Sequence, residues 1–185
     1  MSTKVNFKPK QVTKKILSPL KDRSLDIVKS RFGIGADTER KTLEAIGEKY
    51  GITRERVRQI EQAALNILKK SAEYKSEQAT WDEIKGIIKN LGGLVAENDL
   101  LESVSKDDEI QNHVHFYLVL GDEFIKHRED DDFVTRWSVD ADLSDKVHNS
   151  LKNLYTKLSD DELISESEMV NRFLEELKGI NVEET

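Results

Sequence analysis

A chain of 185 residues with 37% hydrophobic side chains can fill two small cores more readily than one large one. The absence of cysteine excludes a disulfide framework and a thiolate metal centre, and no run approaches the roughly 20 apolar residues that a membrane span needs. The formal charge of −7 hides a division: Met1 to Lys75 holds 18 Lys and Arg against 9 Asp and Glu, a net of +9, whereas Ser76 to Thr185 holds 11 against 27, a net of −16. A basic half can release counterions from DNA phosphates, while an acidic half is repelled by DNA and suits protein surfaces or plain solvation. Residues 1–13, Lys-rich and interrupted by Pro9, are expected to form a loose basic arm. MSTKVNFKPK lacks the apolar segment of a secretion signal, so a soluble cytoplasmic protein is expected.

Helical periodicity begins near Lys14 and runs through Leu17, Leu20, Ile27 and Val28 before pausing at Gly33 and Gly35. The stretch Thr42 to Ile60 then has the pattern of a helix-turn-helix. Counting Thr42 as the residue before the motif, Gly47 takes the small fifth place, and Gly51 takes the ninth, where the turn needs positive φ. Ile46, Tyr50, Ile52, Val57 and Ile60 fall on the inward faces of two steeply crossing helices. Thr53 is a good N-cap, which puts Arg54 and Glu55 in the first turn of the second helix and Arg58 and Gln59 one turn on. An exposed stripe of Arg, Glu and Gln offers the bidentate donors and acceptors that read base edges, whereas a merely solvated face would more often be Lys and Glu.

With those residues in view, RFGIGADTERKTLEAIGEKYGITRERVRQIEQAALNILKK resembles region 4 of bacterial sigma-70 family factors, and with LSPLKDRSLDIVKSR the resemblance runs from about Lys14 to Lys70. It implies reading of the promoter −35 element in the major groove and docking on the β flap of RNA polymerase. Carried over by position, Arg54, Glu55, Arg58 and Gln59 match base-reading places, and Thr42, Leu43, Glu44 and Arg56 lie near the phosphate backbone. Arg40, Lys41 and Thr53 are added as phosphate-side candidates. Ala63, Asn66 and Ile67 depart from the basic residues usual in the family after Gln59, and nothing resembles region 2, so this chain by itself is not a complete sigma factor.

The polar stretch Ser71 to Thr80 sets an expected boundary near Ser76 between a domain over residues 14–75 and one over 80–140. Trp81, Ile84, Ile87, Ile88 and Leu91 predict a helix that stops at Gly92-Gly93, and a second helix is expected from an Asn98 cap through Leu100, Leu101 and Val104. A third, capped by Asp107 or Asp108, would bury Ile110, Val114, Tyr117, Leu118 and Leu120. Two β-prone runs, Phe124–His127 and Phe133–Trp137, flank a hairpin turn. Three helices followed by a hairpin is the order of a winged helix. Trp81 to about Asp140 resembles the HARE-HTH domain of the polymerase δ subunit and of chromatin-associated proteins, but its wing carries Glu129-Asp130-Asp131-Asp132, which favours a protein partner over DNA. Residues 145–180 read as a helical hairpin or as the beginning of a second such module.

No phosphate-binding loop or nucleophile elbow is present, and His113 and His115 on a helix would face different ways, so no metal site is assigned. The expected fold is mainly α: a helix-turn-helix domain joined to a winged helix and a C-terminal helical pair. The expected function is binding, not catalysis, with promoter DNA and the polymerase β flap as partners, no cofactor and no small-molecule substrate, and a place on the nucleoid. A free-standing repressor or activator, and a region-4 mimic that blocks sigma docking, remain the alternatives.

Overall fold

The computed structural model describes residues 5–35, 37–158 and 163–178, and the chain divides into two compact units, Met1–Val139 and Asp140–Thr185. In the first unit, α1 (Pro9–Ile16) starts on a proline, whose fixed φ suits the first helical turn, and buries Val12, Thr13 and Ile16. The arm expected to be loose as far as residue 13 is therefore helical from Pro9, and residues 1–4 lie outside the described set. Next come α2 (Asp22–Phe32), α3 (Leu43–Tyr50) and α4 (Arg54–Lys70). Ile27, Ile46 and Val57 form a small core of their own where α2, α3 and α4 meet, with Leu43, Tyr50, Ile52 and Ile60 packed against it.

The stretch around Ser76 is largely helical. The Ser71 hydroxyl accepts from the Tyr74 amide at 3.1 Å and caps α5 (Ala72–Lys75), and α6 (Gln78–Asn90) follows after two residues. Then come β1 (Leu94–Ala96), α7 (Glu97–Val104), α8 (Asp108–Leu120), β2 (Ile125–His127) and β3 (Arg136–Ser138). The sheet order is β1-β3-β2, antiparallel throughout, with Val95 opposite Trp137 on one side and Lys126 opposite Trp137 on the other. This is a winged helix. Its third strand, β1, leaves no mark in the sequence, because three residues are too short for any alternation to show. Likewise, α7 begins at Glu97 after Ala96 with no side-chain cap, so Asn98 is not its cap. The second run of the wing pairs only from Arg136, because Phe133 is held in the turn, where Asp130 Oδ1 accepts from its amide at 2.8 Å.

A second, larger core joins the two halves of this unit. Val12, Ile16, Leu20, Val28, Phe32 and Leu68 from the basic half cluster with Trp81, Ile84, Phe116, Tyr117 and Trp137 from the acidic half. The physical reason is α8: Val114, Phe116, Tyr117, Leu118 and Leu120 are all buried, so the helix is covered on every side, as an all-round apolar helix must be. Its outer side lies on α1 and α2. Phe32 meets Phe116 edge-on at 5.1 Å, and the Thr13 hydroxyl lies 2.8 Å from His113 Nδ1 and 2.6 Å from the Tyr117 hydroxyl, which donates to the Pro9 carbonyl at 2.6 Å. His115, two residues on, faces elsewhere, 3.6 Å from Glu97 and stacked obliquely against Phe32. Glu97 also accepts from the Trp137 indole at 2.8 Å and from Lys126 at 3.3 Å, which ties α7 to the wing.

The second unit contains α9 (Ala141–Lys157), capped by the Asp140 carboxylate on the Leu143 amide at 3.0 Å, and α10 (Glu166–Lys178). Lys157 pairs with Glu176 across the two helices. Residues 159–162 of the expected hairpin turn, and 179–180 at its end, lie outside the described residues. Among the described residues no helix is long and apolar enough to cross a membrane.

Candidate nucleic-acid interface

The helix-turn-helix is built from two capped helices. Thr42 Oγ1 accepts from the Ala45 amide at 3.1 Å to open α3, and Thr53 Oγ1 accepts from the Arg56 amide at 3.2 Å to open α4. Between them the chain turns at Gly51, with φ of 62°, in the left-handed region that a side chain resists. Gly47 has a different task. A Cβ placed on it would lie 2.6 Å from the Ile52 carbonyl oxygen, so the helices cross this closely only because it has none.

Arg54, Glu55, Arg58 and Gln59 are all exposed on the first two turns of α4, together with Arg56. They pair with one another: Arg58 grips Glu55 through two bonds of 2.8 Å, Gln59 reaches Glu55 at 3.4 Å, and Arg56 donates to Gln59 at 3.1 Å. Arg54 crosses the turn to Glu44 at 3.0 Å. The bond from Arg58 holds the Glu55 carboxyl below its ordinary range, and the same bond raises the Arg58 guanidinium. Being exposed, these pairs are weak in water and can be exchanged for bases or phosphates at small cost.

The phosphate-side candidates are placed less uniformly. Thr42 and Glu44 are exposed at the start of α3, whereas the side chain of Leu43 packs on the small core. Lys41 pairs with Asp37 at 3.2 Å and with Glu39. Arg40, expected at phosphate, is turned inward and half-buried, and its Nε donates to Asn112 Oδ1 at 2.6 Å. Asn112 lies on α8, far along the chain, and no pattern in the sequence distinguishes it from an ordinary surface asparagine.

The fold and this surface define a helix-turn-helix module with a polar, base-edge-like donor and acceptor set on its second helix. Residues 16–70, which contain all of it, match the family described as Sigma-70, region 4. This chain is 46% identical over 59 residues to the RNA polymerase sigma factor RpoD of Neisseria gonorrhoeae, covering 32% of this chain and 9% of that protein. It is 47% identical over 57 residues to the RNA polymerase principal sigma factor HrdD of Streptomyces griseus and to that of Streptomyces viridifaciens, in each case covering 31% of this chain and 17% of the relative. The chain thus matches only a small part of the length of these relatives.

Proposed function

We propose that this chain is a DNA-binding transcription protein whose region-4-like module reads −35-like promoter DNA and docks on the β flap of RNA polymerase, while the acidic winged helix makes protein contacts. The observation that carries the reading is the exposed Arg54, Glu55, Arg58 and Gln59 stripe at the capped start of α4, inside a segment that matches sigma region 4. Its action is binding, not catalysis, in the cytoplasm and on the nucleoid.

In the major groove Arg58 exchanges its fork on Glu55 for the O6 and N7 acceptors of a guanine, Arg54 releases Glu44 for guanine or phosphate, Gln59 pairs with adenine, and Glu55 accepts from cytosine. Each good base contact discriminates by about 1–3 kcal/mol. Thr42, Thr53, the backbone at Leu43, Lys41 and Arg56 supply the sequence-independent, salt-sensitive part. The winged helix contributes no reading helix of its own, because α8 is spent on α1 and α2. With its exposed Glu129 to Asp132, it resembles a HARE-HTH module turned toward protein.

Fluorescence anisotropy of wild type and Arg58→Ala, against a −35-like duplex and a scrambled one at two salt concentrations, tests this. Preference of wild type for the −35-like duplex, lost in Arg58→Ala, is the expected result. Equal binding to both duplexes, or none, would refute promoter reading and turn attention to flap occupancy or to a different operator.

A further inference from the structure

Asn112 is 4% exposed, and a buried amide is costly unless its hydrogen-bonding groups are matched. Its three partners all lie outside the winged helix. Nδ2 donates to the Gly33 carbonyl at 3.0 Å and to the Thr38 carbonyl at 2.7 Å, and Oδ1 accepts from Arg40 at 2.6 Å. One side chain on α8 therefore holds the loop after α2 at three points. Thr42, which caps α3, comes two residues after Arg40, so where the loop sits decides where the first helix of the motif begins. Past Arg40 the loop is tied to α2 itself, by the Lys41 amide to the Ser30 carbonyl and by Arg31 Nη1 to the Lys41 carbonyl, each at 3.0 Å.

If α8 needed only to pack there, an apolar residue would serve at lower desolvation cost. Two carbonyls and a guanidinium gathered on one amide fix position and direction, which is what a loop leading into a DNA-contacting helix requires. We propose that Asn112 is a positioning residue for DNA binding: from the winged helix it sets Gly33, Thr38 and Arg40 and, through them, the phosphate-facing start of α3. The proposal rests on the DNA-binding reading above. It gives the winged helix a part in DNA recognition without touching DNA.

The test uses the full chain with Asn112→Leu, which keeps side-chain volume and removes all three bonds, and Asn112→Asp, which keeps the bond from Arg40 but sets a carboxylate against two carbonyls. Binding to the −35-like and the scrambled duplex is measured beside hydrogen exchange of the amides from Thr38 to Ile46 and of those in α6. Both variants are expected to bind both duplexes about tenfold more weakly with their ratio retained, as for loss of phosphate contacts. Exchange should quicken between Thr38 and Ile46 and stay unchanged in α6. Wild-type affinity in both variants overturns the proposal while leaving the DNA-binding reading standing. Weaker binding with equally faster exchange in α6 also overturns it, since that marks general loosening. Absence of binding by wild type to either duplex removes the DNA-binding reading and this inference together.

Discussion

The two glycines of the helix-turn-helix serve for different reasons, and alanine at each separates them. Gly51 sits at φ of 62° with nothing within 4 Å of an added Cβ, so Gly51→Ala meets only backbone strain. Left-handed backbone costs a side chain about 1–2 kcal/mol, partly offset by about 0.4–1 kcal/mol from a less flexible unfolded chain, for a net loss of about 1 kcal/mol. Asparagine tolerates that region, so Gly51→Asn should recover much of the loss. At Gly47, inside α3, propensity alone predicts that alanine stabilises by about 0.8–1.0 kcal/mol. Its Cβ, however, would stand 2.6 Å from the Ile52 carbonyl oxygen and 3.6 Å from the Arg54 amide nitrogen, and both neighbours are backbone. Relief requires the turn to move away from α3, and overpacking of this kind costs about 1–3 kcal/mol, which exceeds the propensity gain. Gly47→Ala should therefore lower stability by about 1 kcal/mol and, unlike Gly51→Asn, weaken DNA binding as well, because the start of α4 is displaced. Urea denaturation and anisotropy with the −35-like duplex measure the two effects. A Gly47→Ala protein more stable than wild type with unchanged DNA affinity would refute the argument from close approach.

Two further outcomes follow from the shared core. Burial, and next the Arg40 guanidinium, push the His115 imidazole down to about 3, whereas an unfolded histidine titrates near 6.5. Its contribution to stability is therefore present above about pH 6.5 and is lost as pH falls toward about 3, up to about 2 kcal/mol between pH 7 and 5. Urea melts at those two pH values should show the loss, and His115→Phe, which keeps the ring against Phe32, should shrink it; equal pH dependence in the variant would count against the assignment. In the second, a fragment ending at Lys75 would uncover Ile16, Leu20, Val28, Phe32 and Leu68, side chains worth about 1.5–3 kcal/mol each when fully buried. Such a fragment should melt far below the full chain and bind a hydrophobic dye, and a cooperative melt matching that of the full chain would show that the shared core is dispensable.

Much of the helix-turn-helix could be read from the residues, because its determinants are local. The caps at Thr42 and Thr53 and the turn at Gly51 rest on contacts within a few residues, and the inward places of Ile46, Tyr50, Ile52, Val57 and Ile60 follow from helical periodicity. The exposed stripe from Arg54 to Gln59 follows from the same periodicity. The three helices of the winged helix were legible too, since an apolar stripe spaced at three and four or a capping aspartate declares itself without reference to distant chain.

What could not be read there depends on which surfaces meet. The charge division and the polar stretch near Ser76 point to separate modules, but charge describes the solvated surface and says nothing of the apolar faces beneath it. The two halves share a core because α8 has too many apolar sides for a small winged helix to cover, so α1 and α2 cover the remainder. The same packing set the Arg40 guanidinium on Asn112, paired Leu94–Ala96 as a strand, and joined Thr13 to His113 across 100 positions of chain. Sequence alone determined the two helices of the helix-turn-helix, their caps at Thr42 and Thr53 and the face of α4 offered to solvent, because those are short-range properties of the backbone. Only tertiary structure decided the partner of each apolar face and buried amide, because burial and hydrogen-bond satisfaction are settled between segments far apart in the chain.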